Sequence, residues 1–194
     1  MRTSPLARAL LAIAAYPWCA CARDSITIAV ANYTGAPTRV IEFAVEVARR
    51  AFLSAGIDSH WVICAPEDCR QAVPAGTHYL ELLLMPRLLR PIDDAVPGSI
   101  HAAGFALPGI PRPRAWALYD SAELVSLRTS RPLYVVLGCI FVHEMCHLLG
   151  LHHQPRGVMR PSLQPNDMDD TTRGRGFSVE EKKQLRAAAQ HIAP

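Results

Sequence analysis

The sequence lacks an apolar run of the length that crosses a membrane. A transmembrane helix needs about 20 apolar residues, whereas the run near the N-terminus, "ALLAIAA" at Ala9 to Ala15, stops at Tyr16 and Pro17. We therefore expect no membrane span. Internal repeats and low-complexity tracts are also missing, and 50% of the 194 residues are hydrophobic. This length and composition indicate a single globular domain.

The first residues have the features of a cleavable signal peptide. Two arginines give a positive start, the Ala9–Ala15 run has the length of a signal h-region, and an A-x-A-like site ends at Ala22. We assign residues 1–22 to the signal peptide and residues 23–194 to a mature domain that is secreted or periplasmic. The alternatives are a short buried helix of the fold and a lipid anchor on an N-terminal cysteine.

The mature chain also lacks a strong positive charge. Removal of residues 1–22 takes away two arginines and no acidic residue, so the formal net charge falls from +3 to about +1. A nucleic-acid-binding domain needs a clustered basic surface, and the basic segment around Arg112 and Arg114 is typical of a solvated turn. We expect no nucleic-acid partner. No feature indicates an oligomer, so we expect a monomer.

Cysteines are few, and only four of the six remain after the signal peptide. Cys64 and Cys69 flank a short proline-containing loop, which in an oxidising compartment favours a local disulfide. Cys139 and Cys146 lie seven residues apart on a predicted helix, which places their Cα atoms about 10 Å apart, beyond disulfide reach. We expect these two to be buried thiols.

Runs rich in β-branched residues alternate with runs of helical periodicity along the mature chain. Residues 86–113 contain several prolines and glycines, and we expect irregular chain there apart from one short strand. The predicted strands are 25–33, 57–64, 77–85, 101–108 and 114–120, and the predicted helices are 38–56, 121–127, 130–150 and 177–192. This order predicts an α+β or α/β fold with a mixed, mostly parallel, twisted sheet covered by helices.

The helix predicted over residues 130–150 is apolar nearly all round, which indicates a long buried helix. Ser130 suits its N-cap, Pro132 its first turn and Gly150 its exit. Polar side chains inside such a helix are unfavourable unless something satisfies them.

The last part of the chain divides into a polar stretch and a helix. Residues 161–176 have the composition of a mobile segment, and its aspartates favour a solvated acidic turn over a calcium site, because the spacing lacks the calcium-loop pattern. These aspartates are Asp167, Asp169 and Asp170. Ser178 and Glu181 form a capping-box pattern for the closing helix.

A cluster of histidines lies at the end of the buried helix. His143 and His147 are four residues apart, so their rings project from one face and suit two corners of a tetrahedral zinc site. Glu144 lies beside the first of them. Gly150 permits a positive φ, which turns the chain back so that His153 can approach as a third ligand.

Two neighbouring side chains compete for the metal. His152 also follows Gly150, but consecutive residues of extended chain point in opposite directions, and the spacing favours His153. Cys146 is offset by about 100° from His147 around the helix and should face the core.

The segment "HEMCHLLGLHH" matches the pattern His-Glu-x-x-His-x-x-Gly-x-x-His at every fixed position. In this it resembles the metzincin metalloproteases, within the zincin-like fold, and the specific match covers residues 143–159. The resemblance implies a zinc site at His143, His147 and His153, with Met159 in a methionine-containing turn beneath it. In the order of its elements the chain looks most like the small matrixin-type catalytic domains.

Three histidines leave one coordination position of zinc open, which is the arrangement of a catalytic site. We expect a secreted zinc metalloendopeptidase that hydrolyses protein or peptide substrates, with a zinc-activated water and Glu144 as the general base. Two alternatives stay open: a secreted zinc-binding recognition module without proteolysis, and a zinc hydrolase of non-peptide amides.

Overall fold

Five strands form one sheet in the computed structural model, which describes residues 25–87, 103–108 and 113–192. Their bounds are β1 Ser25–Asn32, β2 Asp58–Cys64, β3 Tyr79–Met85, β4 Gly104–Leu107 and β5 Arg114–Leu118. The spatial order is β2-β1-β3-β5-β4. All neighbours are parallel except β4, which runs antiparallel to β5 at the sheet edge. The expected mixed, mostly parallel sheet is confirmed.

Six helices accompany the sheet in the described part of the chain. Their bounds are α1 Thr38–Ser54, α2 Cys69–Ala72, α3 Tyr119–Thr129, α4 Leu133–Leu148, α5 Pro165–Thr172 and α6 Val179–Ile192. Helices α1 and α4 pack against each other, and α4 also contacts β3, β4 and β5. The apolar residues that the sheet and these two helices share form the main core. None of the described helices is both long and apolar enough to span a bilayer.

Helix α4 is buried along nearly its whole length, as its composition predicts. It approaches α1 closely at Gly138, where a Cβ atom would lie 2.6 Å from the Val47 Cβ and 2.7 Å from the Ala44 carbonyl oxygen. The missing side chain lets the two helices approach closely. This contact fixes the position of the helix that carries the histidines.

The cysteine predictions are confirmed. Cys64, at the end of β2, is bonded to Cys69, at the start of α2, and both belong to a small second cluster on the opposite face of the sheet. Cys139 and Cys146 are free and buried in the main core. Burial raises the pKa of the Cys139 thiol to about 12 and that of Cys146 well above its usual value.

The start of the buried helix differs from the prediction. Ser130 is not its N-cap: it follows α3 with a left-handed φ of 53°, and α4 begins only at Leu133, with Pro132 at the cap position. The predicted strand over 114–120 is also shorter, because Tyr119 and Asp120 belong to α3. The predicted signal peptide and much of the irregular stretch, at residues 88–102 and 109–112, lie outside the described residues.

The prediction of a mobile, solvated stretch at 161–176 is wrong. Helix α5 occupies its middle, and Asp167 is buried, with only 7% of its surface exposed. Asp169 pairs with Arg131 at 2.7 Å and Asp170 pairs with Arg175 at the same distance. These ion pairs and the capping contacts of Asp167 order a polar segment that apolar periodicity does not mark.

The closing helix α6 begins as predicted. The Ser178 backbone N–H donates to the Glu181 carboxylate at 2.7 Å, and the Glu181 N–H donates to the Ser178 hydroxyl at 3.2 Å. This is the reciprocal capping box that the sequence pattern indicates.

Replacing Gly138 by alanine tests the close approach of α1 and α4. Alanine favours a helix by about 1 kcal/mol over glycine, but its Cβ would overlap the Val47 side chain and the Ala44 carbonyl. We expect Gly138→Ala to lower the free energy of unfolding by about 1–3 kcal/mol, the range for overpacked cores. Urea denaturation measures it, and equal or higher stability would contradict the packing described here.

Candidate metal centre

Three imidazole rings converge at the end of α4. The Nε2 atoms of His143 and His147 lie 3.0 Å apart, and the Nε2 atom of His153 lies 3.2 Å from each of them. Among the described residues this is the only group of three or more potential ligand side chains that meets in this way. The predicted ligands are therefore brought together by the fold.

A sharp turn after the helix returns the chain to the first two histidines. Gly150 has a φ of +83°, and the Leu151 N–H donates back to the Cys146 carbonyl at 2.9 Å. A residue with a Cβ rarely adopts this backbone conformation, so glycine is favoured there. The turn brings His153 to the two ring nitrogens, as its spacing predicts.

Backbone carbonyls fix the orientation of two rings. His143 Nδ1 lies 2.7 Å from the Val158 carbonyl oxygen, and His147 Nδ1 lies 2.8 Å from that of Leu151. A carbonyl oxygen only accepts hydrogen bonds, so each Nδ1 must carry the hydrogen. In a neutral ring the Nε2 atom then holds a lone pair, which is the donor that a metal ion needs.

Burial favours the neutral form of two of the three histidines. Burial lowers the pKa of His143 to about 4, and burial also lowers the pKa of His147. Two lone pairs 3.0 Å apart repel each other unless a cation lies between the rings. Three imidazole nitrogens are a donor set that zinc accepts, with a position left for a further ligand. The group is therefore able to bind zinc.

Glu144 lies one residue after the first histidine and is only 4% exposed. Its Oε2 atom has no hydrogen-bond partner in the protein. Burial raises the pKa of this carboxyl to about 8. A buried carboxyl oxygen without a hydrogen-bond partner is rare in a core, and this one belongs to the residue that directly follows the first of the converging histidines.

The edge strand β4 closes over Glu144. A Cβ at Gly104 would lie 2.6 Å from Glu144 Oε1 and 2.8 Å from Glu144 Cγ, so the carboxylate occupies the space that a side chain would take. Gly104 stands opposite Ala117 in the antiparallel pair. Nothing in the sequence around residues 86–113 indicates this contact, because it depends on the packing of β4 against α4.

The two residues that compete with the predicted ligands, His152 and Cys146, lie away from the converging rings. His152 is exposed and is not part of the converging group. Cys146 is fully buried in the core. Met159 is also fully buried, in the loop whose Val158 carbonyl binds His143. The methionine-containing turn that the resemblance implies at Met159 stays a prediction.

Comparison with known proteins gives a likeness in fold to a solved structure. Neither a protein-family model nor the sequence of a curated protein matches this chain. Among solved structures, the fold is similar to that of archaemetzincin from Methanopyrus kandleri, with a TM-score of 0.54 and 16% sequence identity over 86% of this chain and 97% of that one. At this identity the likeness concerns the fold, and it confirms the expected zincin-like architecture. It gives no support to the expected matrixin-type likeness.

The raised pKa of Glu144 predicts a pH-dependent stability of the chelated, metal-free protein. Below about pH 4.5 the carboxyl is neutral in both the folded and unfolded states. Between pH 4.5 and about 8 only the unfolded state ionises, so this group makes folding less favourable as the pH rises. Glutamine has no such charge, and we expect Glu144→Gln to gain stability relative to the unmodified chain across this window.

Urea denaturation of both chelated proteins at pH 5 and pH 8 measures this effect. The difference in unfolding free energy should be clearly larger at pH 8. An equal difference at the two pH values would show that Glu144 is not held in a desolvated position.

Proposed function

We propose that this protein is a zinc-dependent endopeptidase in which His143, His147 and His153 hold the ion and Glu144 is the general base. The observation that carries the proposal is the convergence of three Nε2 atoms within 3.2 Å, beside a buried carboxyl with one oxygen that has no hydrogen-bond partner in the protein. A closed structural site would present four protein ligands. The three histidines leave room for a reacting group.

The histidines and the glutamate have separate tasks in this proposal. Zinc, when bound, acts as a Lewis acid that favours deprotonation of water and polarisation of the scissile carbonyl. Glu144 takes one proton from the water whose oxygen bonds to the carbonyl carbon. It then gives that proton to the amine nitrogen as the C–N bond breaks, so the immediate products are a carboxylic acid and an amine, and the second water proton passes from the acid to the amine or to solvent.

The position of Glu144 suits a proton carrier. Its carboxyl is held between α4 and Gly104, out of bulk water, and one oxygen stays without a protein partner. Without a metal, burial favours the protonated form. A cation on the neighbouring histidines favours the carboxylate, because opposite charges stabilise the ionised form. Metal binding would thus prepare the base.

The edge strand supports a peptide as the substrate. β4 pairs with β5 on one side, and within the described residues no strand pairs with its other side. An extended peptide can add to such an edge through backbone hydrogen bonds. Gly104, at the start of β4, touches Glu144, so a peptide on this edge would pass beside the proposed base.

We also infer that the protein is exported, that residues 1–22 are removed as a signal peptide, and that the mature chain is a monomer. The Cys64–Cys69 disulfide supports the inference, since such bonds persist in oxidising compartments. The compartment would be the periplasm or the cell exterior.

Cleavage of a mixed peptide library by the purified protein tests the proposal. We expect zinc to copurify, hydrolysis to stop on chelation and to return with added zinc. Glu144→Gln should retain zinc but lose at least about 100-fold in rate, the lower range for a general base. Glu181→Gln is the matched control, because it changes another buried glutamate that lies outside the histidine group.

The outcomes separate the proposal from its alternatives. Zinc bound with no cleavage of any peptide would favour a recognition module. Hydrolysis of simple non-peptide amides with no peptide cleavage would favour a different hydrolase. Full chelator-sensitive proteolysis by Glu144→Gln would overturn the role given to this residue.

A further inference from the structure

The Asp167 carboxylate, in a polar stretch of the sequence, accepts hydrogen bonds from two backbone amides and forms an ion pair. Its Oδ1 atom accepts the Gly157 N–H at 3.0 Å, and its Oδ2 atom accepts the Gln164 N–H at 3.1 Å. Arg160 Nε lies 3.0 Å from the same Oδ2. The carboxylate is 7% exposed, so these three groups satisfy a charge that is nearly out of water.

The loop that Asp167 holds has a constrained shape. Gly157 has a φ of +76°, and a Cβ there would lie 2.7 Å from the Gly176 carbonyl oxygen. The Val158 N–H donates to that same carbonyl at 3.1 Å, and the Arg160 N–H donates to the Gly157 carbonyl at 3.1 Å. Residues 157–160 are therefore pinned on one side by Gly176 and on the other by Asp167.

This loop orients a histidine of the metal centre. The Val158 carbonyl oxygen, one residue after the amide that Asp167 accepts, receives the hydrogen bond from His143 Nδ1 at 2.7 Å. A shift of Gly157 would move that carbonyl and rotate the His143 ring. When an outer-shell residue that orients a ligating histidine is mutated, metal affinity typically falls by about 10- to 100-fold.

We propose that Asp167 is a positioning residue for the metal centre, which acts on His143 through Gly157 and the Val158 carbonyl. The proposal rests on the metal-binding part of the proposed function. A carboxylate is required because one backbone N–H donates to each of its oxygens and the Arg160 guanidinium lies beside it as an ion pair. Asparagine keeps the size but offers one acceptor oxygen, and its amide group would face a donor.

The neighbouring aspartate provides a matched control. Asp170 lies on the same short helix and pairs with Arg175, but its side chain is 47% exposed, and among the described residues no hydrogen bond or ion pair joins its side chain to the 157–160 loop. Asp170→Asn therefore removes a charge from α5 without touching the loop. A general effect of charge or of helix stability would appear in both variants.

The test is a zinc titration of the purified full chain against a competing chelator. We expect Asp167→Asn to weaken zinc binding by about 10- to 100-fold and Asp170→Asn to leave it within about twofold of the unmodified protein. Cobalt loading gives a second measurement, because the visible absorption of Co²⁺ reports ligand geometry. Its bands should shift in Asp167→Asn and stay in place in Asp170→Asn.

Each protein is titrated at a temperature where circular dichroism shows it folded. A purely structural role would lower the melting temperature of Asp167→Asn and leave the affinity and the cobalt bands unchanged, and that result would overturn the proposal. Arg160→Gln covers the case in which Asp167→Asn does not fold. It keeps the carboxylate but removes its charged partner, and it should weaken zinc binding in the same direction as Asp167→Asn; unchanged affinity would again overturn the proposal.

Failure of the unmodified protein to bind zinc would be a different result. It would refute the metal centre itself, whereas normal binding by the unmodified protein and by Asp167→Asn would refute only the role of Asp167.

Discussion

The two hydrogen bonds from ring Nδ1 atoms to backbone carbonyls are the interactions on which the metal centre depends. They fix the hydrogens of His143 and His147 on the side away from the third histidine, so the Nε2 lone pairs must converge. Converging lone pairs are unfavourable without a cation, and burial favours the neutral form of these two rings. A metal ion bound between the rings would therefore remove the repulsion between these lone pairs.

Close packing at two glycines positions the helix and the carboxyl of the candidate metal centre. Gly138 lets α1 press on α4, and Gly104 lets the edge strand press on Glu144. The carboxyl is thereby removed from bulk water and kept beside the histidines. In the role that we propose for it as a base, a carboxyl held in this way would need little rearrangement during the reaction, which is how preorganised sites lower a barrier. The same edge strand leaves one side open for an extended chain within the described residues.

The sequence predicts most of the fold and most of the site, for identifiable reasons. The strands, the buried helix and the three histidines depend on local periodicity and spacing, which a single sequence displays. Gly104 and the Val158 carbonyl depend on contacts between distant segments, and no local pattern marks them. Asp167 was expected in a solvated turn because its neighbours are polar, yet tertiary contacts bury it. Ser130 was expected to cap α4 but follows α3 in a left-handed conformation, since Pro132 takes the cap position.

The measurement that most directly tests the account is the zinc affinity of His153→Ala compared with that of His152→Ala. The two residues are adjacent and both exposed, but only the His153 ring meets the other two Nε2 atoms. We predict that His153→Ala loses more than about 100-fold in zinc affinity, beyond the range of residues that only orient a ligand, while His152→Ala binds normally. Loss of zinc from His152→Ala with retention by His153→Ala would contradict the account.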